Sequence, residues 1–341
     1  MHPVSQIIEK NLHRRPAFAT GMWINPEKDS TWRKAVDRSN SLTLFCQDHG
    51  AFRYHQHAGA NTQFAAFPES TGQVLDWLII NMPRQKKLLD MLLACAAPLL
   101  AAGGILWLAG EKRAGIKSAD KHLKKYFTEV RKLDNARHCT LFEAIKPIQM
   151  ETFRPSAHRE QWSLRCGHSD ITVVSYPGIF AHGRLDAGTS FLLESISGLD
   201  IRGEVLDFGC GAGVIGSCIA ANNPNAVVTY LDTNALALRS CQESMDTNGQ
   251  TGHILASDGL SELRESYDFV ISNPPIHAGV KTDNRMSLRL LESVHQYIKP
   301  DGRMIIVANR HLPYEKSLAQ TFRRVSELAA NDHFKVISAQ R

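Results

Sequence analysis

Short apolar runs alternate with longer amphipathic stretches over the C-terminal half of the chain. Residues 204–208 form a mainly apolar run with Asp207 near its end, followed by a glycine-rich turn and a helical pattern over 214–222. A second run, 226–231, ends at Asp232. A helix is predicted over 235–247, with Asn248-Gly249 as its stop signal. Further strands are predicted at 252–256, 269–272 and 304–308, and a helix at 288–298 closed by Pro300-Asp301-Gly302. The tail adds a helix at 314–324 and a closing antiparallel hairpin from 325–328 and 334–339. Apolar strands alternating with helices specify a parallel sheet covered on both faces.

The N-terminal half carries a fainter copy of this plan. Asp76-Trp77-Leu78-Ile79-Ile80-Asn81-Met82-Pro83 parallels Asp268-Phe269-Val270-Ile271-Ser272-Asn273-Pro274-Pro275. In each, an acid leads an apolar strand that ends in Asn, with Pro two positions later. An apolar helix, a glycine turn (Gly103-Gly104; Asp301-Gly302) and another apolar strand (105–109; 304–308) follow in both. This shared order predicts a duplicated domain. Nothing between Ser39 and Gly72 resembles the glycine-rich turn, so the first copy is expected to be a binding or scaffolding half. The polar, Pro-broken segment 147–169 reads as a linker. The expected fold is α/β, with two tandem Rossmann-like domains and the N-terminal one degenerate. They are expected at 1–150 and 170–341, with the linker at 151–169.

Composition is compatible with that plan. A chain of 341 residues with 43% apolar and 21% charged residues suits two globular domains. No apolar stretch is long enough to span a bilayer and no signal peptide is evident, so a cytoplasmic protein without a membrane partner is expected. Seven cysteines without a C-x-x-C pair, and fifteen histidines without paired spacing, indicate no disulfide framework and no metal. The net charge of +5 is uneven. Ten Lys/Arg face four Asp/Glu between 112 and 146, which exceeds the whole net charge. Such a segment is either a solvated face or a nucleic-acid contact.

Chemistry concentrates in two places. In Val205-Leu206-Asp207-Phe208-Gly209-Cys210-Gly211-Ala212-Gly213, glycines let the backbone turn tightly and approach a ligand, and a helix start presents free N–H groups. Gly211, Gly213 and Gly216 also fit the dinucleotide pattern, so glycines alone leave a methyltransferase, a dinucleotide enzyme and a structural turn open. Asp232, closing the next strand, suits the ribose of either cofactor. Asp258 is either an adenine contact or a turn residue before Gly259. The more specific signal is Asn273-Pro274-Pro275-Ile276. The Asn carboxamide oxygen and the Pro274 carbonyl can both accept from one planar amino group, turning its lone pair toward a methyl donor. A dehydrogenase has no use for this arrangement.

At these residues the chain resembles the class I methyltransferases that act on amino groups. It is most similar to the ribosomal RNA small subunit methyltransferase C family. Three further stretches carry the resemblance: Pro177-Gly178-Ile179-Phe180 with Leu185-Asp186-Ala187-Gly188-Thr189; Gly110-Glu111-Lys112-Arg113-Ala114-Gly115-Ile116-Lys117-Ser118-Ala119; and Ala308-Asn309-Arg310-His311-Leu312-Pro313-Tyr314. The resemblance implies two tandem class I methyltransferase domains and S-adenosyl-L-methionine as cofactor. The reaction it implies is methylation of the exocyclic N2 amine of a guanine in 16S rRNA. Asp207, Gly209, Cys210, Gly211, Gly213, Asp232, Asp258 and Asn273 would bind the cofactor, and Asn273 with Pro274 the target amine. Pro275, Ile276, Phe180 and His277 would meet the base, and Lys112, Arg113 and Lys117 the phosphates. Ile276 stands where the family pattern has Phe or Tyr, so Phe180 is either the stacking aromatic or a core residue. The expected partner is 16S rRNA or the 30S subunit, and a monomer is expected. Methylation of a protein glutamine or a DNA adenine, and a non-catalytic RNA-binding module, are the other readings these residues allow.

Overall fold

Strands buried on both faces need apolar residues at every position, and the runs noted above become the central strands of two seven-stranded sheets. The computed structural model describes residues 1–14, 17–69, 74–147, 152–274 and 293–341. They form two units, Met1–Arg159 and Glu160–Arg341. The first sheet contains β1 (Phe18–Ile24), β2 (Ser39–Cys46), β3 (Thr62–Phe64), β4 (Leu75–Asn81), β5 (Leu100–Glu111), β6 (Thr128–Ala136) and β7 (Cys139–Ile145). In the second unit a hairpin of β8 (Glu160–Cys166) and β9 (Ser169–Ser175) comes first. The second sheet then contains β10 (Gly203–Phe208), β11 (Ala226–Asp232), β12 (His253–Ala256), β13 (Tyr267–Ser272), β14 (Ile298–Asn309), β15 (Arg324–Ala330) and β16 (Phe334–Gln340).

The two sheets have the same order position for position, β3-β2-β1-β4-β5-β7-β6 and β12-β11-β10-β13-β14-β16-β15. The first five strands of each are parallel and the last two run antiparallel. The likeness extends to local irregularities. The register between β4 and β5 shifts at Leu75/Trp77, and that between β13 and β14 shifts at Tyr267/Phe269. Each shift faces a residue in the left-handed region, Gly103 (φ 74°) or Asp301 (φ 62°). Beside each sits an acid that ties the neighbouring strand. Asp76 Oδ2 accepts from the N–H groups of Ala19 (3.1 Å) and Thr20 (3.0 Å), and Asp268 Oδ2 accepts from Glu204 N–H (2.8 Å) and Lys299 Nζ (2.8 Å). The acid that leads the strand in both sequence copies is therefore an interstrand clamp.

Both faces of the first sheet are covered. Leu78, Ile80, Leu106 and Leu108 face one core, and Trp23, Trp77, Ile79 and Trp107 the other. Trp77 and Trp107 meet edge to face at 4.9 Å.

Several expectations change. The counterpart of the glycine-rich turn follows β1, not a strand between Ser39 and Gly72. It is Asn25-Pro26-Glu27-Lys28-Asp29-Ser30, which contains no glycine. Within the segment read as linker, Glu160–Cys166 is a strand paired with β9. Pro300-Asp301-Gly302 does not close a helix; it is the bulge inside β14, and Val294–Tyr297 before it is a short 3₁₀ turn. The start of the helix expected at 288–298 lies outside the described residues. The tail helix spans only Tyr314–Leu318, because Phe322 turns inward to a 4% exposed core position and Arg324 already begins β15.

A methyl group on Gly216 would overlap the ring of the fully buried Tyr230. Gly216→Ala is therefore expected to lower stability by about 1–3 kcal/mol. Urea unfolding followed by circular dichroism checks this; an unchanged midpoint would refute the packing.

Candidate active site

The loop after β10 has one tight side and one open side. Gly209, Gly211 and Gly213 all lie in the left-handed region, at φ 73°, 55° and 78°. A Cβ on Gly213 would come within 2.6 Å of Cys241 Sγ, so this glycine lets the loop lie against helix Ala235–Thr247. A Cβ on Gly209 or Gly211 would meet nothing within 4 Å. That side of the loop is bare backbone facing a cleft, the form of a cradle for a ligand.

Two carboxylates hold the loop. Asp207 is fully buried, and its Oδ2 accepts from Gly216 N–H at 2.9 Å, in the first turn of helix Val214–Asn222. Its Oδ1 has no partner among the described residues. Burial pushes its carboxyl up to about 7, with the Gly216 N–H opposing and the Asp232 charge adding. Asp232 fixes the loop peptide from the side: Oδ2 accepts from Gly211 N–H and Oδ1 from Asn234 N–H, both at 2.9 Å.

Asn273 follows the end of β13. Its Nδ2 donates to Asp186 Oδ2 and to Thr189 Oγ1, each at 2.9 Å. A carboxylate can only accept, so Asp186 fixes which end of the amide is nitrogen. Asp186 is also the N-cap of helix Ala187–Ile196, accepting from Thr189 N–H at 3.0 Å. Gly188 makes room for this cradle, since a Cβ there would lie 3.1 Å from Asp186 Oδ2 and 3.6 Å from Asn273 Nδ2. With both amide hydrogens committed, Oδ1 is the carboxamide atom left to accept.

One cleft joins the open side of the loop to the Asn273 cradle, while Asp207, Gly213 and Asp232 stand behind its lining. Gly209, Cys210 and Gly211 line it with Asn273, Asp186 and Thr189, and Trp162, Phe180 and Arg184 complete its wall. Phe180 is 63% exposed, which excludes the core reading. Asp258 is exposed beyond β12 and is not among the residues lining the cleft. Lys112, Arg113 and Lys117 are exposed residues of the N-terminal unit, after β5. Pro274 is buried, and Pro275, Ile276 and His277 lie outside the described residues. Among the described residues, no group of three His, Cys, Asp or Glu is placed to hold a metal ion, and no helix is long and apolar enough to cross a membrane.

The family model described as the methyltransferase small domain matches residues 170–338, and that described as its N-terminal domain matches 5–162. The chain is 36% identical over 338 residues to the ribosomal RNA small subunit methyltransferase C of Aeromonas hydrophila, covering 98% of this chain and 96% of that one. It is 37% identical over 343 residues to that of Shewanella amazonensis, covering 99% and 98%. The chain belongs to the ribosomal RNA small subunit methyltransferase C family. A solved structure, the T. thermophilus 16S rRNA N2 G1207 methyltransferase in complex with AdoMet and guanosine, shares the fold with TM-score 0.86 at 22% identity, covering 100% of this chain and 92% of that one.

Within this methyltransferase chain the N-terminal unit has closed its own version of the site. The loop after β1 carries Pro26 and Glu27 in place of the glycine cradle. Asn81, the counterpart of Asn273, is 7% exposed. Its Oδ1 accepts from Trp23 Nε1 at 2.9 Å, and its Nδ2 faces Glu27 Oε1 at 3.4 Å. The acceptor atom that Asn273 leaves available is consumed here.

Residue-type reasoning did not assign roles to Trp162, Arg184, Asp186 or Thr189. For Asp186 a local signal existed, an Asp followed three positions later by Thr at a helix start. Its cap is visible in sequence, but its hold on an Asn 87 positions away is not.

Asp207 makes a pH-dependent difference. Its folded value, about 7, lies above its ordinary 3.8, so its contribution to stability is complete below about pH 4 and is lost as pH rises through 7. The stability of Asp207→Asn relative to wild type, both ligand-free, is expected to rise by about 2–4 kcal/mol between pH 4 and pH 8. Denaturant titrations across that range test it, and a flat difference would mean Asp207 is not held in the strained ionised state.

Proposed function

We propose that the C-terminal unit transfers a methyl group from S-adenosyl-L-methionine to the exocyclic N2 amine of a guanine in 16S rRNA. The observation that carries this reading is the commitment of both Asn273 amide hydrogens to Asp186 and Thr189. An Asn so held presents an acceptor and cannot swivel to present a donor. Its Oδ1 and the Pro274 carbonyl would take the two hydrogens of the target amine and direct the nitrogen lone pair outward. Such pre-set polar groups act without reorganising during transfer.

The cofactor fits what is present. No side chain at Gly209 or Gly211 obstructs a ligand approaching the loop, and Asp207 Oδ1 is a buried acceptor, without a partner among the described residues, for an N–H-bearing end. Asp232 would reach the ribose and Asp258 the adenine. When bound, S-adenosyl-L-methionine supplies an electrophilic methyl group on a sulfonium. Phe180 is free to stack on the base, a contribution of about 1–3 kcal/mol. With Pro275, Ile276 and His277 it would bound the base site. Lys112, Arg113 and Lys117 would contact phosphates. The chain would act as a cytoplasmic monomer on 16S rRNA or the 30S subunit, with the degenerate N-terminal unit, Met1–Arg159, supporting RNA contact and catalysis in the unit Glu160–Arg341.

Asn273→Ala is expected to lower methyl transfer about 100–1000-fold while cofactor affinity stays at the wild-type level. Radiolabel transfer to 16S rRNA and 30S subunits, with nucleoside analysis, gives the rate; calorimetry gives the affinity. Retained turnover would remove Asn273 from the mechanism, and label in adenine or protein would replace the substrate. Asp186→Ala, which releases one amide hydrogen of Asn273, is expected to reduce kcat about tenfold or more with the donor KM little changed. An effect confined to KM would show that Asp186 serves binding instead.

A further inference from the structure

The basic segment 112–146 is only partly explained by ion pairs within the first unit. Lys124 pairs with Asp120 (3.6 Å) and Lys125 with Asp90 (2.9 Å), yet both lysines stay more than half exposed. Together with Arg154 they line a groove of the N-terminal unit whose described lining residues include no Asp or Glu. Lys146, next to the lining residue Pro147, donates to the carbonyls of Pro98 and Leu100 and pairs with no carboxylate among the described residues. Even with Asp90 and Asp120 counted, the groove is net positive.

Its other wall is aromatic. Tyr126, Phe127, Phe153 and His158 line it. Phe153 and His158 stack with centroids 5.3 Å apart and planes 30° apart, and Phe67 continues the series at 5.3 Å from Phe153. Burial holds the His158 imidazolium below its ordinary value, with the Asp90 charge opposing, so at neutral pH this ring is an uncharged stacking face.

Place distinguishes the groove, about 1080 Å³ in volume, from an inherited cofactor pocket. It lies where β5 and β6 begin and β7 ends, the edge of the sheet opposite Asn81. Ligands of open α/β sheets sit at the carboxyl ends of the parallel strands. A cationic track beside stacked rings is instead the form of a site for a single nucleic-acid strand, whose bases expose their faces.

We propose that this groove holds a single-stranded segment of the RNA substrate, with phosphates on Lys124, Lys125 and Arg154 and an unstacked base against Phe153. The inference rests on the RNA reading of the C-terminal unit. Two variants separate its parts. The triple variant Lys124→Gln, Lys125→Gln, Arg154→Gln is expected to weaken binding of a 16S rRNA transcript and to reduce the slope of log K against log salt by about 2, at about 0.7 per lost contact to a single strand. Phe153→Leu, which keeps an apolar filler, is expected to weaken binding about tenfold with the slope unchanged. A purely structural role would not divide slope from affinity in this way. Both variants should keep wild-type cofactor affinity and thermal midpoint. A labelled RNA of about 12 mixed-sequence nucleotides should bind the wild type better than its blunt duplex does.

Variants that bind RNA like a wild type that binds and methylates it would overturn the groove, as would equal binding of the duplex. A wild type that neither binds nor methylates 16S rRNA would overturn the RNA reading itself.

Discussion

A carboxylate buried without a cation is costly, and the C-terminal unit is organised around one. Asp207 stands at the end of the central strand with one oxygen on Gly216 N–H and the other without a partner among the described residues. An unmet buried acceptor costs about 1–3 kcal/mol. The surrounding sheet bears that cost because β10 is locked between β11 and β13 and cannot withdraw. From this fixed point the glycine loop departs, and Asp232 catches it at Gly211. The open cradle, the helix start and the cleft all follow from where that carboxylate is held.

Stability and function pull apart at this point. The glycines that face inward, Gly213 and Gly216, serve packing, and a side chain there would collide with Cys241 or Tyr230. Those that face outward, Gly209 and Gly211, meet nothing. No packing argument excludes a side chain at the second pair; only their backbone angles and the cleft do. Glycines retained for openness, not fit, are what a ligand-binding loop requires.

The general plan was legible because apolar runs report burial on both faces of a sheet. Helices 214–222 and 235–247 have the boundaries expected, and the repeated acid–strand–Asn pattern marks two sheets of one topology. What escaped reading is non-local or depends on packing. Pro300-Asp301-Gly302 looks like a helix stop, but Asp301 takes a left-handed angle inside a continuing strand. The tail helix stops early because Phe322 is drawn into the core. Phe180 could not be placed from sequence, since an aromatic after Pro-Gly suits either core or cleft. The link from Asp186 to Asn273 joins a helix cap to a strand end and has no spacing signature. The counterpart of the glycine-rich turn also escaped reading, because Asn25-Pro26-Glu27-Lys28-Asp29-Ser30 has no glycine to mark it.

The two Asn residues at equivalent strand ends show how one fold gives an active and an inactive half. A carboxamide has two faces, and what matters is which one the protein uses up. Around Asn273 the protein supplies acceptors, Asp186 and Thr189, so the nitrogen is satisfied internally and the oxygen is presented. Around Asn81 it supplies a donor, the Trp23 indole N–H, so the oxygen is satisfied internally. Reopening the first site would need more than restored glycines. It would also have to free a buried indole N–H from its only described partner, at about the cost of a lost buried hydrogen bond. The closed half is thereby stabilised as a scaffold by the same kind of bond that equips the other half for chemistry.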